Sequence, residues 1–129
     1  MKKAILTIIG LMLVVVLSGC NAQNPDKIGA TTIYVDKQGK IIETVVEDFS
    51  MSHYSDEELK QFIEQDISLY HENKGEEVVG LEFFEVKDEI VKVQMSFATA
   101  EDYREFNSVD IFNGTISEAL SSGYSLDVI

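Results

Sequence analysis

Few side chains in this 129-residue chain are of types that do chemistry on their own: one cysteine, Cys20, and two histidines, His53 and His71, set among 23 carboxylates. The histidines bracket a helical segment and could meet on a metal only with help from Asp56 or Glu72. No H-x-x-x-H or comparable spacing supports that. His53 reads instead as a loop residue, and His71 as a complement to the helix C-terminus. Gly75-Glu76-Glu77-Val78-Val79-Gly80 has the first spacing of a phosphate loop, but Leu81-Glu82 stands where Lys and Ser/Thr are required. Its acids would also repel phosphate, so it reads as a loop entering a strand. None of the eight glycines forms a G-x-G-x-x-G, and no serine lies in a G-x-S-x-G elbow. Residues 110–115 offer a calcium loop only one carboxylate, Asp110. Asn113-Gly114-Thr115 matches a glycosylation sequon but reads better as a turn feeding a helix cap. With so many acids, some carboxylates pair by chance. The expectation is no catalytic residue, no metal ligand and no cofactor.

Cys20 has a different context. Lys2 and Lys3 precede fourteen uncharged residues, 4–17, dominated by Leu, Ile and Val. As a helix that stretch is about 21 Å long, short of the roughly 20 apolar residues a span needs, and it has the form of a signal-peptide core. Leu17-Ser18-Gly19-Cys20 follows. This tetrapeptide resembles the lipobox of bacterial lipoproteins, and the resemblance implies cleavage after Gly19 and diacylglyceration of the Cys20 thiol. Leu17, Ser18 and Gly19 are then the signal-peptidase recognition residues and Cys20 the lipidation site. Two or three acyl chains on one residue meet the requirement for stable anchoring. Lipidated Cys20 leaves no thiol for a disulfide, a thiolate ligand or a redox pair.

After residue 19, 110 residues remain, enough for one core. The net charge of the whole chain is −13; once Lys2 and Lys3 are removed, 8 basic side chains face 23 acidic ones, a balance of −15. Binding nucleic acid requires Lys and Arg to neutralise phosphates, so a nucleic-acid partner is not expected. Anionic headgroups should repel the domain as well.

The elements that must position these residues follow from pattern. Residues 21–30 are polar, hold the only proline, Pro25, and read with Cys20 as a lipidated, flexible linker over 20–30. A single acidic α+β domain is expected over 31–129. Residues 31–36 and 40–49 predict a hairpin turning at Lys37-Gln38-Gly39. The pairs Ile41-Ile42 and Val45-Val46 leave its buried face open and suggest a bulge. Ser55 with Glu58 is a capping box, with Tyr54 and Leu59 as its staple. It starts a helix to Asn73 whose inward stripe is Leu59, Phe62, Ile63, Ile67 and Tyr70. A second hairpin spans 78–97 and turns near Lys87-Asp88. Val91, Val93, Met95 and Phe97 alternate there with Lys92, Gln94 and Ser96, as in a half-buried strand. Thr99 caps a helix to Asn107, Thr115 with Glu118 caps a brief one ending near Gly123, and 124–129 begins another strand. The order β-β-α-β-β-α predicts an antiparallel sheet from two hairpins with helices on one face. The apolar end, Ser125-Leu126-Asp127-Val128-Ile129, raises the expectation that the domain is truncated at its C-terminus.

Three stretches, together with the lipobox, resemble a group of small lipoproteins of Firmicutes that carry no assigned activity. They are Thr32-Ile33-Tyr34-Val35-Asp36-Lys37-Gln38-Gly39-Lys40, Glu57-Glu58-Leu59-Lys60-Gln61-Phe62-Ile63 and Ala100-Glu101-Asp102-Tyr103-Arg104-Glu105-Phe106-Asn107. The resemblance implies an extracytoplasmic, lipid-anchored protein of the cell membrane and supplies no activity or site residue. The expected function is a non-enzymatic module that contacts a protein or envelope component. The alternative is a small-ligand or cation-binding lipoprotein serving a transporter. The absence of Trp weighs against a sugar-binding version.

Overall fold

The computed structural model describes residues 24–125. The leader, Cys20 and residues 126–129 lie outside them. Four strands, β1 (Thr32–Val35), β2 (Ile41–Asp48), β3 (Val79–Lys87) and β4 (Ile90–Phe97), form one antiparallel sheet in the order β1-β2-β4-β3. Three helices accompany them: α1 (Asp56–Lys74), α2 (Ala100–Asn107) and α3 (Ile116–Ser121). The fold is α+β, two hairpins joined by a helix. Among the described residues no helix is long and apolar enough to cross a membrane.

Local chemistry sets the element ends. Asp36 Oδ1 accepts the Gln38 and Lys40 amides at 2.8 and 2.9 Å, closing the first hairpin. Ser55 caps α1 by accepting from the Glu58 amide, and Gly75, at φ 78°, ends it in the left-handed conformation where a Cβ is costly. The Glu58 side chain does not return to Ser55; among the described residues the full reciprocal box forms at Thr115 and Glu118 alone. The second hairpin turns on Asp88 and Glu89, both at positive φ, one residue later than expected.

The core lies between the sheet and the helices. Ile41, Val91, Val93, Met95 and Phe97 face Tyr103 of α2, with Leu59, Ile63, Ile67 and Tyr70 of α1 packed alongside. Full burial of a side chain such as Ile41 or Phe97 stabilises the fold by about 1.5–3 kcal/mol.

Four expectations need correction. Phe62 is not in the inward stripe: it is 60% exposed, because the row at 59, 63, 67 and 70 already fills the space over the sheet. The bulge is in β3, between Leu81 and Phe83, and β2 pairs with β4 without interruption. β4 is not half-buried: it lies between β2 and β3, and Gln94 and Ser96 on its second face are buried too. Part of the expected linker belongs to the fold, since Pro25–Lys27 forms a 3-10 turn whose Pro25 carbonyl accepts from Lys92 Nζ at 2.8 Å. That turn lies over the sheet face opposite the helices.

Candidate functional site

The site residues expected from sequence, Leu17, Ser18, Gly19 and Cys20, lie outside the described residues. Of the remaining candidates, the fold keeps the histidines on separate duties. His53 stacks edge-on against Tyr54, with ring centroids 4.8 Å apart. His71 Nε2 accepts the Val79 amide at 3.1 Å, tying the end of α1 to the start of β3. Among the described residues no group of three or more His, Cys, Asp or Glu is placed to hold a metal ion. Gly75 is the cap at the C-terminus of α1 and Gly80 lies in β3. Phosphate loops open a helix N-terminus, so this segment has the opposite polarity. Asn113 and Gly114 lead into the Thr115 cap.

Two polar constellations absent from the sequence reading emerge. The first joins α1 to α2. Tyr70 donates to Asp102 Oδ1 at 3.1 Å and to Glu105 Oε2 at 2.8 Å, and Lys74 Nζ lies 3.2 Å from both carboxylates. Thr99 Oγ1 donates to Asp102 Oδ2 at 2.7 Å and accepts the Asp102 amide, so one carboxylate serves both the helix cap and the clasp. Burial pushes the Asp102 carboxyl up, but hydrogen bonds from Thr99, Lys74 and Tyr70 outweigh it and hold it below the usual range. Hydrogen bonds from Tyr70 and Lys74 lower Glu105. Burial and the two carboxylates raise the Tyr70 phenol, and the same carboxylates raise the Lys74 ammonium. Each of these side chains is paired within the cluster, which clasps the end of α1 to α2. Tyr103 repeats the device on β2: its hydroxyl donates to Glu43 at 2.9 Å, and burial followed by that contact pushes its phenol up to about 12.

The second lies on the sheet face opposite the helices. A cavity of about 300 Å³ is lined by Pro25, Lys40, Ile42, Glu82, Phe83, Gln94 and Ser96. The bulge sets Glu82 and Phe83 side by side on this face, where Glu82 accepts from Ser96 Oγ at 2.5 Å, while Gln94 Nε2 donates to Thr44 Oγ1 at 3.0 Å. Gly80 makes room for this, because a Cβ there would sit 3.0 Å from both Glu82 Oε1 and Ser96 Oγ. Amide, hydroxyl, carboxylate and ammonium groups beside Ile42 and Phe83 suit a small polar ligand with an apolar part. Neither the bulge nor the 3-10 turn has a strong sequence signature, so only folding brings these groups together.

Other features are apolar and exposed. Ile33, Tyr34 and Val35 lie on β1, Phe62 and Leu69 on α1, and Ile116 and Leu120 on α3. Comparison with protein-family models, with curated proteins and with solved structures finds no match to this chain, so its chemistry is read from its own residues.

Proposed function

We propose that this chain is an extracytoplasmic lipoprotein, cut behind Gly19 and held to the cell membrane by lipid on Cys20, whose domain is a non-enzymatic interaction module for a protein or other envelope component. The observation that carries the module reading is the set of apolar side chains exposed on β1, α1 and α3. Each of these three elements therefore offers large apolar side chains that a partner could cover. The leader pattern carries the anchor. The balance of −15 disfavours nucleic acid.

The 3-10 turn shortens the tether. On this reading at most about 14 Å of extended chain separates Cys20 from Asn24.

Two measurements test this reading. Cys20→Ser should move the protein from the membrane to the soluble fraction; retention in the membrane would overturn the anchor. Photo-crosslinking amino acids placed at Tyr34, Phe62 and Ile116 in growing cells should give a discrete adduct from at least one position. Adducts from none would overturn the module. The cavity of about 300 Å³ favours the second reading, a small-ligand or cation-binding lipoprotein serving a transporter. In that case one ligand class should raise the melting midpoint, by about 2.7 kcal/mol of stabilisation at a hundred times its dissociation constant.

A further inference from the structure

Glu58, Phe62, Gln65, Leu69 and Glu72 of α1 follow one another at intervals of four, three, four and three residues, so they form a single seam along the helix. All five are exposed, Phe62 at 60% and Leu69 at 48%. The seam reads acid, apolar, amide, apolar, acid. Its two apolar members are seven residues apart, about 10 Å along the axis. The basic side chains of α1 lie elsewhere: Lys60 pairs with Glu64 at 4.0 Å, and Lys74 is held by Asp102 and Glu105. Neither Glu58 nor Glu72 enters an ion pair among the described residues. A Phe and a Leu on a solvent-facing seam, bracketed by free carboxylates, form a helix-packing stripe without its partner.

We propose that this seam docks an amphipathic helix of the opposite sign, with Lys or Arg two turns either side of a central polar residue and apolar side chains between. The inference rests on the module reading and adds the class of partner to it. Charge complementarity selects the occupant. A second copy would set Glu58 and Glu72 against the same carboxylates, whether the two helices ran parallel or antiparallel, and an anionic bilayer would be repelled likewise. A basic helix neutralises both ends of the seam while its apolar residues cover Phe62 and Leu69, the helix-against-helix mode of peptide recognition.

The test uses the full lipidated chain in nanodiscs of zwitterionic lipid, with empty nanodiscs as the reference. The probe is an 18-residue synthetic helix bearing a Lys-Leu-Gln-Leu-Lys seam at the same spacing on an alanine background. Saturable binding is expected, at least tenfold weaker for the double variant Phe62→Ser and Leu69→Ser. Glu58→Gln with Glu72→Gln should weaken it several-fold and flatten its salt dependence. The same peptide with Glu in place of Lys should not bind. A scrambled peptide of the same composition that binds equally well, or a double serine variant that binds unchanged, would overturn the proposal in favour of unspecific charge attraction. Dimers that dissociate on Phe62→Ser would overturn it in favour of a second copy. Crosslinks from Tyr34 or Ile116 without probe binding would reject this seam and leave the module reading standing, whereas no crosslinks at all would remove both.

Discussion

Single side chains carry the pH dependence. Asp102 and Glu105 titrate below their ordinary values in the folded chain, so the unfolded chain binds protons more readily there. Their contribution is present above the unfolded carboxylate value, about 3.9 for Asp, and is lost as pH falls through the lower folded value. Denaturant midpoints measured from pH 7 down to pH 2 should fall more steeply for the native chain than for Asp102→Asn. At pH 7 that variant should cost about 1–3 kcal/mol, since it weakens a cap and a charge-assisted clasp together. Tyr103 acts at the other end of the scale. Its phenol is raised to about 12, so its stabilisation is complete below about pH 10 and lost as pH rises towards the folded value. Tyr103→Phe should flatten that alkaline limb; an unchanged limb would show that the Glu43 contact contributes nothing.

Elements end where individual residues accept unusual backbone angles. Gly75 stops α1 at φ 78°, and Gly75→Ala should lower stability by about 1 kcal/mol, read from the thermal midpoint. Asp88 and Glu89 take φ of 52° and 61° in the tight turn between β3 and β4, without the glycine such turns favour. Glu89→Gly should therefore stabilise the domain by about 0.5–1 kcal/mol, and a lower midpoint would show that the Glu89 side chain has a task of its own. Much of this level was legible in the residues. The caps at Ser55, Thr99 and Thr115, the turn at Gly39 and the alternation of Val91 to Phe97 place α1, α2, α3 and both hairpins within a residue or two. Phe62 was misplaced because its spacing from Leu59 and Ile63 fits an inward stripe as well as an outward seam. Periodicity records the angle between residues and not the width of the groove they must fill.

At the scale of the molecule, one core supports everything else. Phe97 is fully buried at the meeting of β4, β2 and α2, with Tyr103 and Phe106 packed on its ring at centroid distances of 5.0 and 5.7 Å. Phe97→Ala should cost about 3–5 kcal/mol, a large share of the 5–15 kcal/mol typical of a domain, and urea unfolding should show it. Phe62→Ser removes a side chain that meets mostly water and should leave the midpoint within about 0.5 kcal/mol. A marked loss on Phe62→Ser would show that the residue belongs to the core. The second, polar face of β4 ties the same core to Pro25 through Lys92, so deletion of residues 24–27 should lower stability although the segment is polar.

The residues by themselves determined what depends on local chemistry: the hairpin turns, the helix caps, the acidic balance and the leader pattern ending at Cys20. Each follows from neighbours a few positions apart, whose backbone preferences and charges act before any distant contact forms. Tertiary structure alone decided that β4 is central, that Gln94 and Ser96 on its second face are buried, that Glu82 bulges towards Ser96, and that Tyr70 and Lys74 clasp Asp102 and Glu105 across more than twenty-five residues of chain. Strand order has no local signature, because a strand of given pattern fits an edge or a centre equally well until its neighbours are chosen. The carboxylates were visible throughout, but which of them are tied into the fold and which stand free along α1 depends on where the second hairpin and α2 come to rest.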